Sequence, residues 1–323
     1  MINHDETADE SADEWATVRP LTLAWVGRFL DAGERIVRVE ALHGGVTAEM
    51  RRLTVASRGG GTRELVLRSY VEPFFVDRAE EALDREAGAL AALAGAADVP
   101  APRLIAADPT AAHCEYPSLL MTHLQGRALV GDEGLERRVQ LLARQLAAIH
   151  SVVPGEQPPK YEALTTADTV VVPERADSAA WAAAIDVIRE PAPAYEGRFL
   201  HRDFHLGNVL FDAPLTRITG VVDWAGASWG PTDLDVAHTC TNLALLHGPE
   251  WGQRFADAYE EAGGVLAGDR GERLYWRVRD ALAFSEEVEM VARPWREAGR
   301  TELTTRVVEE RLDAYVSGLM AAG

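Results

Sequence analysis

The chain has 323 residues, 47% of them hydrophobic and 26% charged, enough to bury a full core in two lobes and ordinary for a globular protein. Its 32 basic and 51 acidic residues leave a formal charge of −19. That charge opposes binding to nucleic acid or an anionic membrane surface and tolerates a cationic ligand, although solubility alone accounts for it. Cys114 and Cys240 form neither a disulfide framework nor a metal spacing. The acidic N-terminus has the wrong sign for a secretion signal, and no apolar run approaches membrane-spanning length, so a cytoplasmic protein is expected.

Residues 1–17 lack apolar periodicity and read as a disordered acidic lead. Leu21–Leu30 has helical spacing, and Ile36–Leu42, Met50–Ala56 and Glu64–Arg68 read as strands. A helix over Arg78–Leu93 and short strands at Leu104–Ala106 and Ser118–Met121 complete a small lobe, residues 18–124. His123–Gly126 reads as a hinge into a larger helical lobe, residues 125–323. In it, helices are predicted over Leu135–His150, Ala179–Ile188, Asp233–Leu246, Gly252–Ala262, Glu272–Val291 and Thr301–Met320. The fold class is therefore α+β, with an antiparallel sheet in the first lobe and helices in the second.

One segment interrupts the helices. His201-Arg202-Asp203-Phe204-His205-Leu206-Gly207-Asn208 is followed by strand-like Val209–Phe211, a turn at Asp212-Ala213-Pro214, and a returning strand Ile218–Val222 that ends at Asp223-Trp224. An Asp, an Asn five residues on, and a second Asp closing an apolar run is the layout of kinase-like phosphotransferases. One carboxylate is needed to orient a hydroxyl and take its proton. An amide oxygen and a second carboxylate suit a hard cation such as magnesium, which keeps several waters.

The chain resembles the aminoglycoside phosphotransferase and choline kinase family over residues 35–320, most specifically in His201–Asn208 and Asp223-Trp224. The resemblance implies a protein-kinase-like two-lobe fold, ATP or GTP as phosphoryl donor, and Mg2+. It implies Asp203 as catalytic base, His201 as a brace of the loop, and Asn208 and Asp223 as metal ligands. The backbone of Thr122 and Leu124 would meet the adenine, and Gly44, Gly45 and Thr47 would cover the phosphates. Kinases of this kind also need a basic side chain on the third strand, held by a helix carboxylate. Arg68 ends that strand, and Glu86 shares a helical face with Leu83 and Leu90. The chain departs here from the family's usual lysine, since its single lysine, Lys160, lies elsewhere.

Asp223 is followed by Trp224-Ala225, no Ala-Pro-Glu occurs downstream, and only about ten residues separate Asp223 from the next predicted helix, too few for an activation segment, which disfavours a protein kinase. Asp233 and Asp235 could touch substrate or cap the helix that starts there. Glu250, Asp257, Glu260, Glu261, Glu286, Glu287 and Glu289 would suit a polycation or form solvated faces; Trp251, Trp276 and Trp295 could stack on a ligand or pack in the core. The expected partner is a small-molecule hydroxyl acceptor, an antibiotic of aminoglycoside or macrolide class first. A metabolite such as an amino alcohol or sugar, and a nucleotide-binding regulator, are the alternatives.

Overall fold

The computed structural model describes residues 19–42, 47–286 and 288–322. The acidic lead over residues 1–17, and Gly44, Gly45 and Glu287, lie outside the described residues. The chain divides into two compact units, Met1–Ala94 with Pro102–Leu124, and Gly95–Ala101 with Gln125–Gly323.

In the first unit, helix α1 (Pro20–Gly27) starts with Pro20, whose missing N–H is harmless in a first turn. Strands β1 (Arg35–Leu42), β2 (Glu49–Ala56), β3 (Thr62–Ser69), β4 (Leu104–Asp108) and β5 (Ser118–Thr122) form one sheet in the order β1-β2-β3-β5-β4. All of its pairings are antiparallel. Successive side chains of central β3 go to opposite faces. Leu65 and Leu67 join Trp25, Val26, Leu53, Val55 and Leu120 in a core. Val66 and Arg68 take the other face. A short helix α2 (Pro73–Val76), which no periodicity announced, leads into α3 (Ala79–Leu93). Leu83, Glu86, Leu90 and Leu93 form the buried stripe of α3, so Glu86 points inward with the apolar residues.

The second unit is mainly helical. It contains α4 (Leu135–His150), α5 (Ser178–Arg189), α6 (Thr232–His247), α7 (Pro249–Glu261), α8 (Arg270–Ala283), α9 (Val288–Glu297) and α10 (Thr305–Ala322). Four short strands pair as two ribbons, β6 (Arg198–Leu200) with β9 (Ser228–Gly230) and β7 (Val209–Phe211) with β8 (Ile218–Val221). The helix predicted over Glu272–Val291 is two helices. α8 stops at Phe284, and the Ser285 hydroxyl donates to the Leu282 carbonyl, satisfying an end-of-helix acceptor locally. Every residue of α6 from Asp233 to Leu246 is buried, because α7, α8 and α10 all pack on it. Trp276 is a core residue, edge-on to Tyr161, Tyr195 and Tyr275. Both cysteines are buried and free, and burial pushes the Cys114 thiol up to about 12. Among the described residues no helix is long and apolar enough to cross a membrane.

Candidate active site

The β7–β8 ribbon positions two of the motif residues, Asn208 and Asp223. Asp212 closes its turn by accepting from the N–H groups of Thr216 (2.7 Å) and Arg217 (3.1 Å). The ladder extends one step past the strand ends, where the Val222 N–H donates to the Asn208 carbonyl at 3.0 Å. Asn208 and the neighbour of Val222, Asp223, are thereby brought to the same end of the ribbon. Asp223 has φ +66°, in the left-handed region that non-glycine residues enter sparingly. Trp224 pins that turn: fully buried, it donates from Nε1 to the Val221 carbonyl at 3.0 Å and stacks on Phe199.

The loop His201–Asn208 is held from beneath by α6. Asp235 is fully buried and accepts from the main-chain N–H of His201 (2.7 Å) and of Arg202 (2.9 Å), with His150 Nε2 at 3.3 Å. Arg202 sits at φ +69° between these bonds. One turn further, the Thr239 hydroxyl donates to the Phe204 carbonyl at 2.8 Å. Asp235 is thus neither a helix cap nor a substrate contact, and the residue preceding α6 is Pro231, which has no side chain to cap with. Asp233 accepts from the Ala267 N–H instead.

His201 is fully buried against Trp224, their ring centroids 4.3 Å apart. Its Nε2 lies 3.1 Å from the Val222 carbonyl, and its Nδ1 accepts from the Asp203 N–H at 3.2 Å. Burial pushes its pKa down despite Asp235, Asp203 and Asp223, so it is the neutral ring with hydrogen on Nε2. It ties the Asp203 main chain to the strand that ends in Asp223.

The Asp203 side chain keeps 44% exposure, yet both its oxygens are engaged. Oδ2 accepts from Asn208 Nδ2 at 2.8 Å. Oδ1 lies 3.1 Å from His238 Nε2 and 3.4 Å from His205 Nε2. Burial works against the charge, but His205 and His238 outweigh it and hold this carboxyl well below the ordinary carboxylate range. His238 reaches Asp280 through Nδ1 at 3.1 Å. Burial would lower the His238 pKa, but the two acids raise it to about 10. The His205 ring folds back over Gly207, whose N–H donates to Nδ1 at 3.1 Å; a Cβ on Gly207 would come within 2.7 Å of the ring. Gly207→Ala is therefore expected to displace His205 and lower turnover while leaving the Tm nearly unchanged, read by steady-state rates beside a melting curve.

The oxygens present fit magnesium. The Asn208 amide nitrogen is committed to the Asp203 carbonyl (2.9 Å) and carboxylate, which orients Oδ1 as the free-standing acceptor of that amide. The Asp223 carboxylate, at the same end of the ribbon, is a second oxygen donor, and two such donors suit a cation that retains waters and phosphate oxygens. Among the described residues no group of three or more His, Cys, Asp or Glu could hold a metal ion.

In the first unit, Arg68 and Glu86 meet as expected. Arg68 Nη1 donates to Glu86 Oε2 at 2.6 Å, with the two residues 3% and 1% exposed. The pair is buried rather than a surface bridge. Lys160 lies in the second unit, bridged to Trp229. Thr47 stands in a bend before β2 and is half-buried. Thr122 ends β5, and its N–H donates to the Arg103 carbonyl at 3.0 Å. The next N–H, of His123, donates to the Glu64 carbonyl, and Leu124 follows outside the strand.

The sequence model of the phosphotransferase enzyme family matches residues 38–275. The chain belongs to that family, and its fold is the kinase-like fold of antibiotic phosphotransferases. A putative aminoglycoside phosphotransferase from Ralstonia eutropha JMP134 superposes with a TM-score of 0.63 at 17% identity, covering 93% of this chain and 96% of that one. A thermostable mutant of aminoglycoside phosphotransferase APH(4)-Ia, in ternary complex with AMP-PNP and hygromycin B, gives 0.58 at 19% identity, covering 88% and 95%. Macrolide 2'-phosphotransferase MphH from Brachybacterium faecium gives 0.55 at 17% identity, covering 94% and 98%. No curated protein sequence matches the chain.

His205, His238, Thr239 and Asp280 bear on the loop without being singled out by the sequence, and Asp235, read there as a substrate contact or a cap, instead holds the loop's main chain. His238 stands in Val236-Ala237-His238-Thr239-Cys240, which reads as an apolar run. The available signal was spacing. Asp235, His238, Thr239 and Asn242 fall at i, i+3, i+4 and i+7, one polar face on a helix that is otherwise hydrophobic.

Proposed function

We propose that the chain transfers the γ-phosphoryl group of ATP or GTP to a hydroxyl of a small molecule, an antibiotic of aminoglycoside or macrolide class being the leading acceptor. The observation that carries the reading is Asp203, a carboxylate part open to solvent whose two oxygens are fixed by neighbours. Asp203 orients the acceptor hydroxyl and takes its proton as the oxygen bonds to the γ-phosphorus. The bond from that phosphorus to its bridging oxygen breaks, and the nucleoside diphosphate leaves. Asn208 and Asp223 would hold magnesium, which when bound offsets the negative charge of the phosphates. His201 keeps the loop in register with Asp223. Residues 18–124 form the nucleotide-binding lobe in this reading, and residues 125–323 the lobe that carries the acceptor.

Arg68, oriented by Glu86, meets the α- and β-phosphates, while Gly44, Gly45 and Thr47 cover them. The Thr122 carbonyl and the Leu124 N–H meet the base. The neighbouring folds support both acceptor classes, since one was solved with hygromycin B and a nucleotide analogue and another is a macrolide enzyme. Glu86→Gln removes the counter-charge that aims Arg68. The nucleotide KM is expected to rise about tenfold, the equivalent of roughly 1.4 kcal/mol of lost phosphate contact. A titration of initial rate against nucleotide at saturating acceptor reads it.

The test of the function is magnesium-dependent nucleotide turnover against a panel of hydroxyl-bearing antibiotics and metabolites. Release of ADP or GDP stimulated by one chemical class supports the reading and identifies the acceptor. If nothing stimulates turnover, magnesium-dependent thermal stabilisation by nucleotide points to an untested acceptor. No stabilisation points to a regulator.

A further inference from the structure

We propose that His238, anchored by Asp280, is a positioning residue for Asp203: a rigid Asp280–His238–Asp203 line, running from α8 through α6 to the loop, sets the carboxylate that faces the acceptor. The inference rests on the phosphotransfer reading above and deepens it.

The His238 ring has a carboxyl oxygen 3.1 Å from each nitrogen, Asp203 Oδ1 on one side and Asp280 Oδ1 on the other. Both contacts are satisfied only when both nitrogens carry hydrogen. The ring in that state has no lone pair for a proton and cannot act as the base. It is also almost fully buried, so it acts through Asp203 and not on the substrate.

Each part of the line is fixed in turn. Asp280 is 2% exposed, and its second oxygen accepts from the Thr241 hydroxyl at 2.7 Å. A buried acid is costly unless it is paired and hydrogen-bonded, and both of its oxygens are. Asn242 donates to the His238 carbonyl at 3.0 Å, and the Phe284 ring lies 5.5 Å from the imidazole. At the far end, His238 and Asn208 take different oxygens of Asp203. A carboxylate held at one oxygen can still swing about χ2; one held at both cannot. In phosphoryl transfer the protein contributes mostly alignment, so a base that swings loses rate without losing nucleotide.

A core ion pair with no catalytic role would affect stability alone, and the test separates the two. His238→Leu, His238→Gln, Asp280→Asn and the double variant Asp280→Asn/His238→Leu are compared with the full-length wild type, each with its melting curve. The expected result for His238→Leu is a fall in kcat of about 10- to 100-fold, the scale of a misplaced reacting group, with nucleotide KM unchanged. His238→Gln, whose amide can still donate to Asp203, recovers part of that loss. Asp280→Asn loses less, and adds nothing in the His238→Leu background because it acts through the same ring.

A wild-type kcat in folded His238→Leu overturns the inference, as does a loss confined to KM or an additive double variant. Should His238→Leu fail to fold, the near-isosteric Asp280→Asn and His238→Gln carry the test, and wild-type kcat in both overturns it. A wild type that no acceptor stimulates and no nucleotide stabilises fails the phosphotransfer reading itself. A stimulated wild type with unaffected variants fails this inference only.

Discussion

Asp203→Asn is expected to lower kcat by about 10²–10⁴-fold, the usual contribution of a positioned acid–base group, with nucleotide affinity essentially intact. The substitution keeps size and one acceptor oxygen, so one of Asn208 and His238 can keep its contact while the other faces an NH2 group. What disappears is a group able to take the proton of the attacking hydroxyl. The residues proposed to hold nucleotide, Arg68, Glu86, Thr122 and Leu124, belong to the other compact unit and are unaltered. Parallel measurements of single-turnover rate and of nucleotide dissociation constant separate the two effects. A fold-preserving variant that loses nucleotide binding would contradict the role given to Asp203.

The loop could be read from the sequence because its chemistry is contiguous. Asp203 and Asn208 are five positions apart, and Asp223 is joined to them by a hairpin whose strands and turn residues are both legible. The Arg68–Glu86 contact could also be anticipated, since an acid on the apolar stripe of a helix needs a partner and the basic end of β3 offers one. The supports of the loop were opaque for a different reason. Asp235, His238 and Thr239 reach residues 33 to 35 positions away, and Asp280 reaches His238 from a further helix. Apolar periodicity carries no record of such pairings. It also cannot separate a buried polar face from a run of core residues when the whole helix is buried, as α6 is. Strands β6 and β9 escaped notice because three residues are too few to show alternation and, unlike the equally short β7, neither is marked by a hairpin turn. The break after α8 escaped because no glycine or proline marks it in the sequence.

Asp235 shows how much of the site depends on those supports. Its carboxylate gathers two main-chain N–H groups of the loop and a ring nitrogen of His150, which itself meets the Tyr259 hydroxyl at 2.7 Å. Burial opposes its ionisation, but His150 and Arg202 outweigh burial and hold its pKa below the ordinary value. In Asp235→Asn one acceptor oxygen becomes an NH2 group facing a donor, and the negative charge opposite Arg202 is lost. Removing one partner from a buried charged network costs roughly 3–5 kcal/mol. For a unit of this size that is a Tm drop on the order of 10 °C.

The pH dependence has a definite sign. A carboxyl whose folded pKa is depressed contributes stability above its unfolded value, near 3.9, and loses it as the pH falls through the lower folded value. Melting curves of the wild type should therefore decline in acid below about pH 4, in part through Asp235, and Asp235→Asn should show a shallower decline there. Turnover should fall in the variant even at temperatures where it stays folded, because the left-handed turn at Arg202 loses one of the two main-chain bonds that lead into it. An Asp235→Asn protein with wild-type Tm and kcat would mean that the catalytic loop holds its shape without α6.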